Sequence, residues 1–271
     1  MIHDSTLKVE TEGGVVAITL NRPEKRNALN AAMIDQLTRA LEAAAQDASC
    51  GVVLLTGAGN AFCAGMDLAH LEALAAKTME EHRADTEQIA RLMRTLYDLP
   101  KPTIAAVNGA AVAGGMGLAT VCDFTLAAPE AKFGYTEVRI GFIPAIVSAF
   151  LRQQVGDKRA RDLLLTGRLI QTQEALEMGL VTRMVPAAEL MRESHALAGT
   201  LLQNSPQAIA ATKRLLSDHA RARLDAEIEA AIVANVVARS SEDFKEGVRA
   251  FLEKRKPDWP SRHTRFAPTR R

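Results

Sequence analysis

Three stretches of this 271-residue chain combine residue types that could do chemistry. Two are glycine-rich turns, each following an apolar run: Gly57-Ala-Gly-Asn-Ala-Phe-Cys-Ala-Gly65-Met66-Asp67, and Asn108-Gly109-Ala-Ala-Val-Ala-Gly114-Gly115-Met-Gly117. A glycine at a strand–helix junction lets main-chain N–H groups approach a ligand closely, and a helix N-terminus adds positive potential. Two such turns, converging, could hold a developing oxyanion. The alternative is that both are packing turns, because glycine is common punctuation. The third stretch is Phe133-Gly-Tyr-Thr-Glu137-Val-Arg-Ile140. Partial burial of Glu137 among Phe133, Tyr135, Val138 and Ile140 would raise its pKa and suit it to proton transfer near neutral pH. An ion pair with Arg139 is the structural alternative.

Other chemistries fit less well. Gly115-Met-Gly117-Leu-Ala-Thr120 lacks the third small residue of a dinucleotide fingerprint, no GK[ST] follows either turn, and no G-x-S-x-G occurs. Cys63 beside a glycine turn reads as a buried structural thiol rather than a nucleophile. Three widely spaced cysteines without a CxxC, and six histidines without an HExxH, point to a reduced, metal-free protein. With no basic-then-apolar leader at the N-terminus, the expected location is cytoplasmic. Lys and Arg number 33 against 32 Asp and Glu, so charge offers no overall attraction to nucleic acid or an anionic membrane. Eight Phe, two Tyr and one Trp are too few for a base-stacking surface. Residues 102–122 carry no charge over a bilayer-spanning length, but Pro102, Asn108, four glycines and many alanines favour a buried strand, turn and helix instead.

The elements that must position these groups follow from hydrophobic period and punctuation. Residues 15–20 read as a strand stopped by Asn21-Arg22-Pro23, and Asn30 can cap a helix with Met33, Ile34, Leu37 and Leu41 on one face. Residues 52–56 form an apolar run suited to a strand buried on both faces. A helical pattern covers 79–97, and strands are predicted at 102–107 and 124–127. Short strands alternating with helices indicate an α/β unit with crossover connections. Beyond about residue 145 the glycines at 156, 167 and 179 break up helical stretches, and a last short strand falls within 180–185. Residues 187–252 are almost wholly helical, with a break at Ser205-Pro206. The expected division is an α/β core over 1–195 and a helical region over 196–271 that contacts another subunit.

Taken together, these features resemble the crotonase family, the enoyl-CoA hydratase/isomerase superfamily. The resemblance spans about residues 8–258. It is carried by Asn21-Arg-Pro-Glu-Lys-Arg-Asn-Ala-Leu29, Phe62-Cys-Ala-Gly-Met-Asp-Leu68, Val107-Asn-Gly through Gly117 to Cys122-Asp123, Phe133-Gly through Glu137, Thr166-Gly-Arg168, Ala175-Leu-Glu-Met-Gly-Leu-Val181 and Phe251-Leu-Glu-Lys-Arg-Lys-Pro257. It implies a spiral core of ββα units, C-terminal helices that trimerise and cover the active site, and a homotrimer or dimer of trimers. The implied partner is an acyl-CoA thioester, with coenzyme A entering as part of the substrate and no separate cofactor. Motif by motif, the oxyanion donors fall on the N–H groups of Met66 and Gly114. Lys25, Arg26, Ala28, Ala64, Asp67 and Leu68 fall where the family contacts CoA, and Phe251 and Lys254 where a neighbouring subunit does.

Two departures stand out. Hydratases of the family typically use two glutamates; Glu137 matches the second, but the first matches Gly117. Residues 143–150, Ile-Pro-Ala-Ile-Val-Ser-Ala-Phe, replace the glycine-rich Pro-Gly-x-Gly-Gly-Thr of many relatives. The segments around Glu137 and Gly117 look like those of methylglutaconyl-CoA and isohexenylglutaconyl-CoA hydratases. The resemblance therefore implies syn addition of water to a 2-enoyl-CoA that is short, branched or carboxylated. A Δ3,Δ2-enoyl-CoA isomerase with Glu137 as its only base, and a non-catalytic CoA- or RNA-binding scaffold, are the alternatives.

Overall fold

The computed structural model describes residues 5–74 and 77–263. Two strands, Leu7–Glu12 (β1) and Val15–Leu20 (β2), form an antiparallel hairpin, and the helix Ala31–Gln46 (α1) follows. Asn30 begins that helix as expected: its side chain accepts the Met33 N–H at 2.9 Å, and Met33, Ile34, Leu37 and Leu41 are all buried.

Three ββα units come next. The first contains Val52–Gly57 (β3) and Ala61–Cys63 (β4), then the helices Leu68–Leu74 (α2) and Met79–Tyr97 (α3). The second contains Thr103–Val107 (β5), Ala110–Val112 (β6) and Gly114–Val121 (α4). The third contains Phe124–Ala127 (β7), Lys132–Gly134 (β8) and Ala145–Thr166 (α5), which Gly156 kinks with a positive φ of 76°. In each unit the first strand enters one sheet and the second enters another. The large sheet runs β1-β2-β3-β5-β7 and ends on Arg183–Met184 (β10); the small sheet runs β4-β6-β8 and ends on Ile170–Gln171 (β9). Between β9 and β10 lies Thr172–Met178 (α6). Of the predicted closing strand over 180–185, only Arg183 and Met184 pair, with Leu126 and Ala127. The units are stitched by Asn108, whose Nδ2 donates to the Gly57 and Gly59 carbonyls, each at 2.9 Å.

The last helices are Leu190–Leu202 (α7), Pro206–Arg239 (α8), Glu242–Leu252 (α9) and Pro260–His263 (α10). Alternation along β3 assigns them their places. Val53 and Leu55 face the main core with α1, α3, α4, α5 and the inner face of α8, while Val52 and Leu54 face α7 through Leu190 and Ala198. The expected boundary at 195/196 therefore falls inside α7, a single helix packed on one sheet face. Leu224, Ile228 and Ile232 of α8 belong to the main core itself, so the helical region shares that core rather than forming a second one. Among the described residues no helix is long and apolar enough to cross a membrane.

Candidate active site

The two glycine-rich turns converge. Gly65 adopts a φ of 89°, and a Cβ there would lie 2.8 Å from the Ala113 Cβ and 3.0 Å from the Val112 carbonyl oxygen, so only glycine allows the turns to touch. Hydrogen bonds lock the approach from the other side: Leu29 N–H donates to Gly65 O at 2.7 Å, and Asp67 N–H donates to Leu29 O at 2.8 Å. This ladder leaves the intervening Met66 N–H without an acceptor among the described residues. Gly114 opens α4, where geometry denies its N–H an intrahelical partner. Ala113, just before it, has φ 51° and ψ −125°, a conformation that costs a non-glycine residue about 1–3 kcal/mol. Its own N–H is anchored on Gly134 O at 2.7 Å, which fixes the torsion that aims the following N–H. Met66 and Gly114 both line one cavity of about 140 Å³.

Glu137 lines the same cavity from the start of a short 3-10 turn, Glu137–Ile140, after β8. The turn is held by Phe142 N–H donating to Glu137 O at 3.0 Å and Arg139 N–H donating to Thr136 O at 3.0 Å. The residue is 8% exposed, and its Oε2 is buried without a hydrogen-bond partner among the described residues. Burial pushes the carboxyl up to about 7, against a smaller downward pull from its own main-chain N–H. It forms no ion pair with Arg139. The alternative of a structural Glu137–Arg139 pair is set aside, and the carboxyl is poised to exchange a proton near neutral pH.

Burying this carboxyl carries a stability cost with a definite sign. A carboxyl raised from 4.5 to about 7 contributes stability below pH 4.5 and loses it as pH rises through 7. Glu137→Gln is therefore expected to gain stability relative to wild type between pH 5 and pH 9, by on the order of 3 kcal/mol at the alkaline end. Urea melts of both proteins at the two pH values check this; a constant offset would contradict it.

The two departures at 117 and 143–150 prove to be one structural unit. A Cβ at Gly117 would stand 2.4 Å from Val147 Cγ1 and 3.1 Å from Met93 Cε. The space that a first glutamate would need is filled by a β-branched side chain from α5. Val147 and Met93, with Ile89, Ile140, Ile143 and Ile146, give the cavity an apolar wall. Beside Glu137, the polar side chains on its lining are Thr136, Asn235 and Arg239.

The family model described as Enoyl-CoA hydratase/isomerase matches residues 10–262. The chain belongs to the enoyl-CoA hydratase/isomerase family. It is 46% identical over 250 residues to a Thermus thermophilus protein that bears the name of an enoyl-CoA hydratase without a stated substrate, covering 92% of this chain and 99% of that one. It is 37% identical over 259 residues to the 2,3-dehydroadipyl-CoA hydratase of Escherichia coli K12, covering 95% and 100%. The crystal structure of an enoyl-CoA hydratase/isomerase from Xanthobacter autotrophicus Py2 superposes with a TM-score of 0.86 at 32% identity, covering 92% of this chain and 97% of that one. The ββα units and helical C-terminal region are thus those of the family fold.

The residues that the family resemblance assigned to CoA are distributed unevenly. Ala64 and Leu68 line the cavity beside Met66, and Phe251 lines it too. The resemblance would bring Phe251 from a neighbouring subunit; here it borders the cavity of its own chain. Lys25, Arg26 and Ala28 lie on the segment laced to the first glycine turn, Ala64 N–H donating to Arg26 O at 3.0 Å, but do not line the cavity. The Asp67 carboxylate is already committed to Arg22 at 2.8 Å and to the Ala69 N–H at 2.9 Å. Lys254 is exposed just past α9 and does not line the cavity. Cys63 is fully buried in the main core, where burial pushes its thiol up to about 12, so it has the inert character expected of a packing residue. Sequence reasoning missed Asn235 and Arg239. The available signal was an Asn inside the apolar run Ala230–Ala238 and an Arg closing it at 239, four apart and so on one face of α8.

Proposed function

We propose that this chain is an enoyl-CoA hydratase that adds water across the 2,3 double bond of a short, branched or carboxylated 2-enoyl-CoA, using Glu137 as its only carboxylate. The observation that carries this reading is the pair of unpartnered N–H groups at Met66 and Gly114 lining the same cavity as a buried, elevated carboxyl. Negative charge grows on the thioester oxygen as the enolate forms, and each N–H that meets it stabilises the transition state by about 2.7–4 kcal/mol.

Proton balance closes on one group. Protonated Glu137 gives its proton to C2 while water adds to C3 on the same face, and the proton released by that water returns to the carboxylate. The acid is regenerated, and no residue at position 117 is required. Lys25, Arg26, Ala28, Ala64, Asp67, Leu68, Phe251 and Lys254 are assigned to CoA: Ala64, Leu68 and Phe251 beside the thioester, Arg26, Ala28 and Asp67 through backbone position, and the two lysines through charge. Assembly as a homotrimer or dimer of trimers is supported by exposed apolar side chains on α8, among them Leu215, Leu216, Val233 and Val237.

A single carboxylate also suits a Δ3,Δ2-enoyl-CoA isomerase, which moves one proton from C2 to C4. Incubation in ¹⁸O water with 3-methylglutaconyl-CoA, crotonyl-CoA and a 3-enoyl-CoA, read by mass spectrometry, separates the two. A product heavier by one labelled water is expected. Unchanged mass with a moved double bond would replace hydration by isomerisation.

A further inference from the structure

The cavity carries polar side chains besides Glu137. Arg239, the last residue of α8, lines it and is only 1% exposed. Its Nη1 donates to Asp85 Oδ2 at 2.6 Å, and its Nε is buried without an acceptor among the described residues. The guanidinium lies over the Phe142 ring, 5.6 Å from the centroid. Asp85 on α3 is shared, its Oδ1 lying 2.8 Å from His70 Nε2. One turn before Arg239, Asn235 lines the same cavity. Its Oδ1 lies 3.0 Å from Thr86 Oγ1, which shares its one proton with the His82 carbonyl oxygen at 2.8 Å, and its Nδ2 has no acceptor among the described residues.

These two side chains, four residues apart on one helical face, offer donors only. A guanidinium keeps its proton when buried, so Arg239 brings a permanent cation and donor group to an otherwise apolar wall. An acyl chain ending in a methyl group would leave both donors unpaired, whereas a terminal carboxylate accepts from both and meets the positive charge. Leaving such donors unpaired penalises the wrong ligand more than the contact rewards the right one.

We propose that Arg239 and Asn235 form an acyl-terminus subsite for a carboxylate, which makes the substrate class the mono-CoA thioesters of short unsaturated dicarboxylic acids. This rests on the hydratase reading of the same cavity for its chemistry, though not for its binding preference. Adipyl-CoA and hexanoyl-CoA differ at the sixth carbon alone, carboxylate against methyl, and neither can be hydrated. Calorimetric titration of the purified protein is expected to show adipyl-CoA bound about 30-fold more tightly, the effect of a charge-assisted pair of donors. The ratio of the two Kd values within each variant cancels any general loss of affinity. It is expected to fall about tenfold in Asn235→Leu, and close to one in Arg239→Met/Asp85→Leu, where both ions are removed together so that no charge is stranded.

A wild-type ratio near one would overturn the subsite, as would a ratio unchanged in Asn235→Leu, the variant that keeps the buried ion pair. The matched unsaturated pair, 2,3-dehydroadipyl-CoA and 2-hexenoyl-CoA, reads the chemistry separately. A binding preference without hydration of either would leave the subsite standing and remove the hydratase reading.

Discussion

Glu137→Gln is expected to lower turnover of an enoyl-CoA by about 10²–10⁴-fold while leaving thioester affinity close to wild type. Glutamine matches the shape and polarity of the acid but can neither give a proton to C2 nor take one from water. On the proposed reading binding is retained, because the proposed donors at Met66 and Gly114 are main-chain groups and Glu137 is not among the residues assigned to CoA. The pH profile has a stated sign. Hydration consumes the protonated form, so kcat/KM should fall as pH rises through about 7, where the buried carboxyl titrates. Steady-state kinetics of both proteins between pH 5.5 and pH 9 test the two claims together. Near-wild-type turnover in the glutamine variant would remove Glu137 from the mechanism.

The second large effect is at Gly117. Gly117→Glu, which restores the family's first carboxylate by residue type, is expected to destabilise the protein by about 1–3 kcal/mol. For a chain of this size that lowers Tm by roughly 2–6 °C. The reason is the 2.4 Å approach to Val147 Cγ1, an atom that a β-branched side chain on a helix cannot easily withdraw. Met93, the other neighbour, is flexible and yields. Val147→Ala removes the obstructing methyl groups and leaves a Cβ at the 3.6 Å position, an ordinary contact. Adding it to Gly117→Glu should return much of the lost stability, a non-additivity of about 1–3 kcal/mol across the double-mutant cycle. Thermal melts of the four proteins measure it directly, and simple additivity would mean that the two positions are not in conflict.

These two sites show which features can be read from a sequence. Glu137 was legible because its apolar neighbours are adjacent in the chain and predict the burial that raises its pKa. Gly114 was legible because a glycine turn before a helix leaves N–H groups free wherever it occurs. The long elements α1 and α3 were legible through their period, and Asn30 through its capping chemistry. The small sheet was not: β4, β6, β8 and β9 are two or three residues long, too short for any period to register, and their pairings join residues at least 22 positions apart. Nor could the link between positions 117 and 147 be seen, since each looked like a separate departure from the family until α4 and α5 were packed together. Arg239 gave a visible signal as a charge ending an apolar run, but its partner Asp85 lies 154 positions earlier. Without that partner an arginine at a helix C-terminus reads as ordinary dipole compensation.

The torsion at Ala113 has a consequence for how this protein could be improved. Glycine would relieve the strain at that position, and a search for thermostable variants would find it attractive. The same freedom would let the chain rotate, and the Gly114 N–H would swing with it. Rigidity in the fold and aim in the active site are thus set by a single backbone angle. Selection for heat resistance at residue 113 would be selection against a fixed donor, a trade-off confined to one peptide unit.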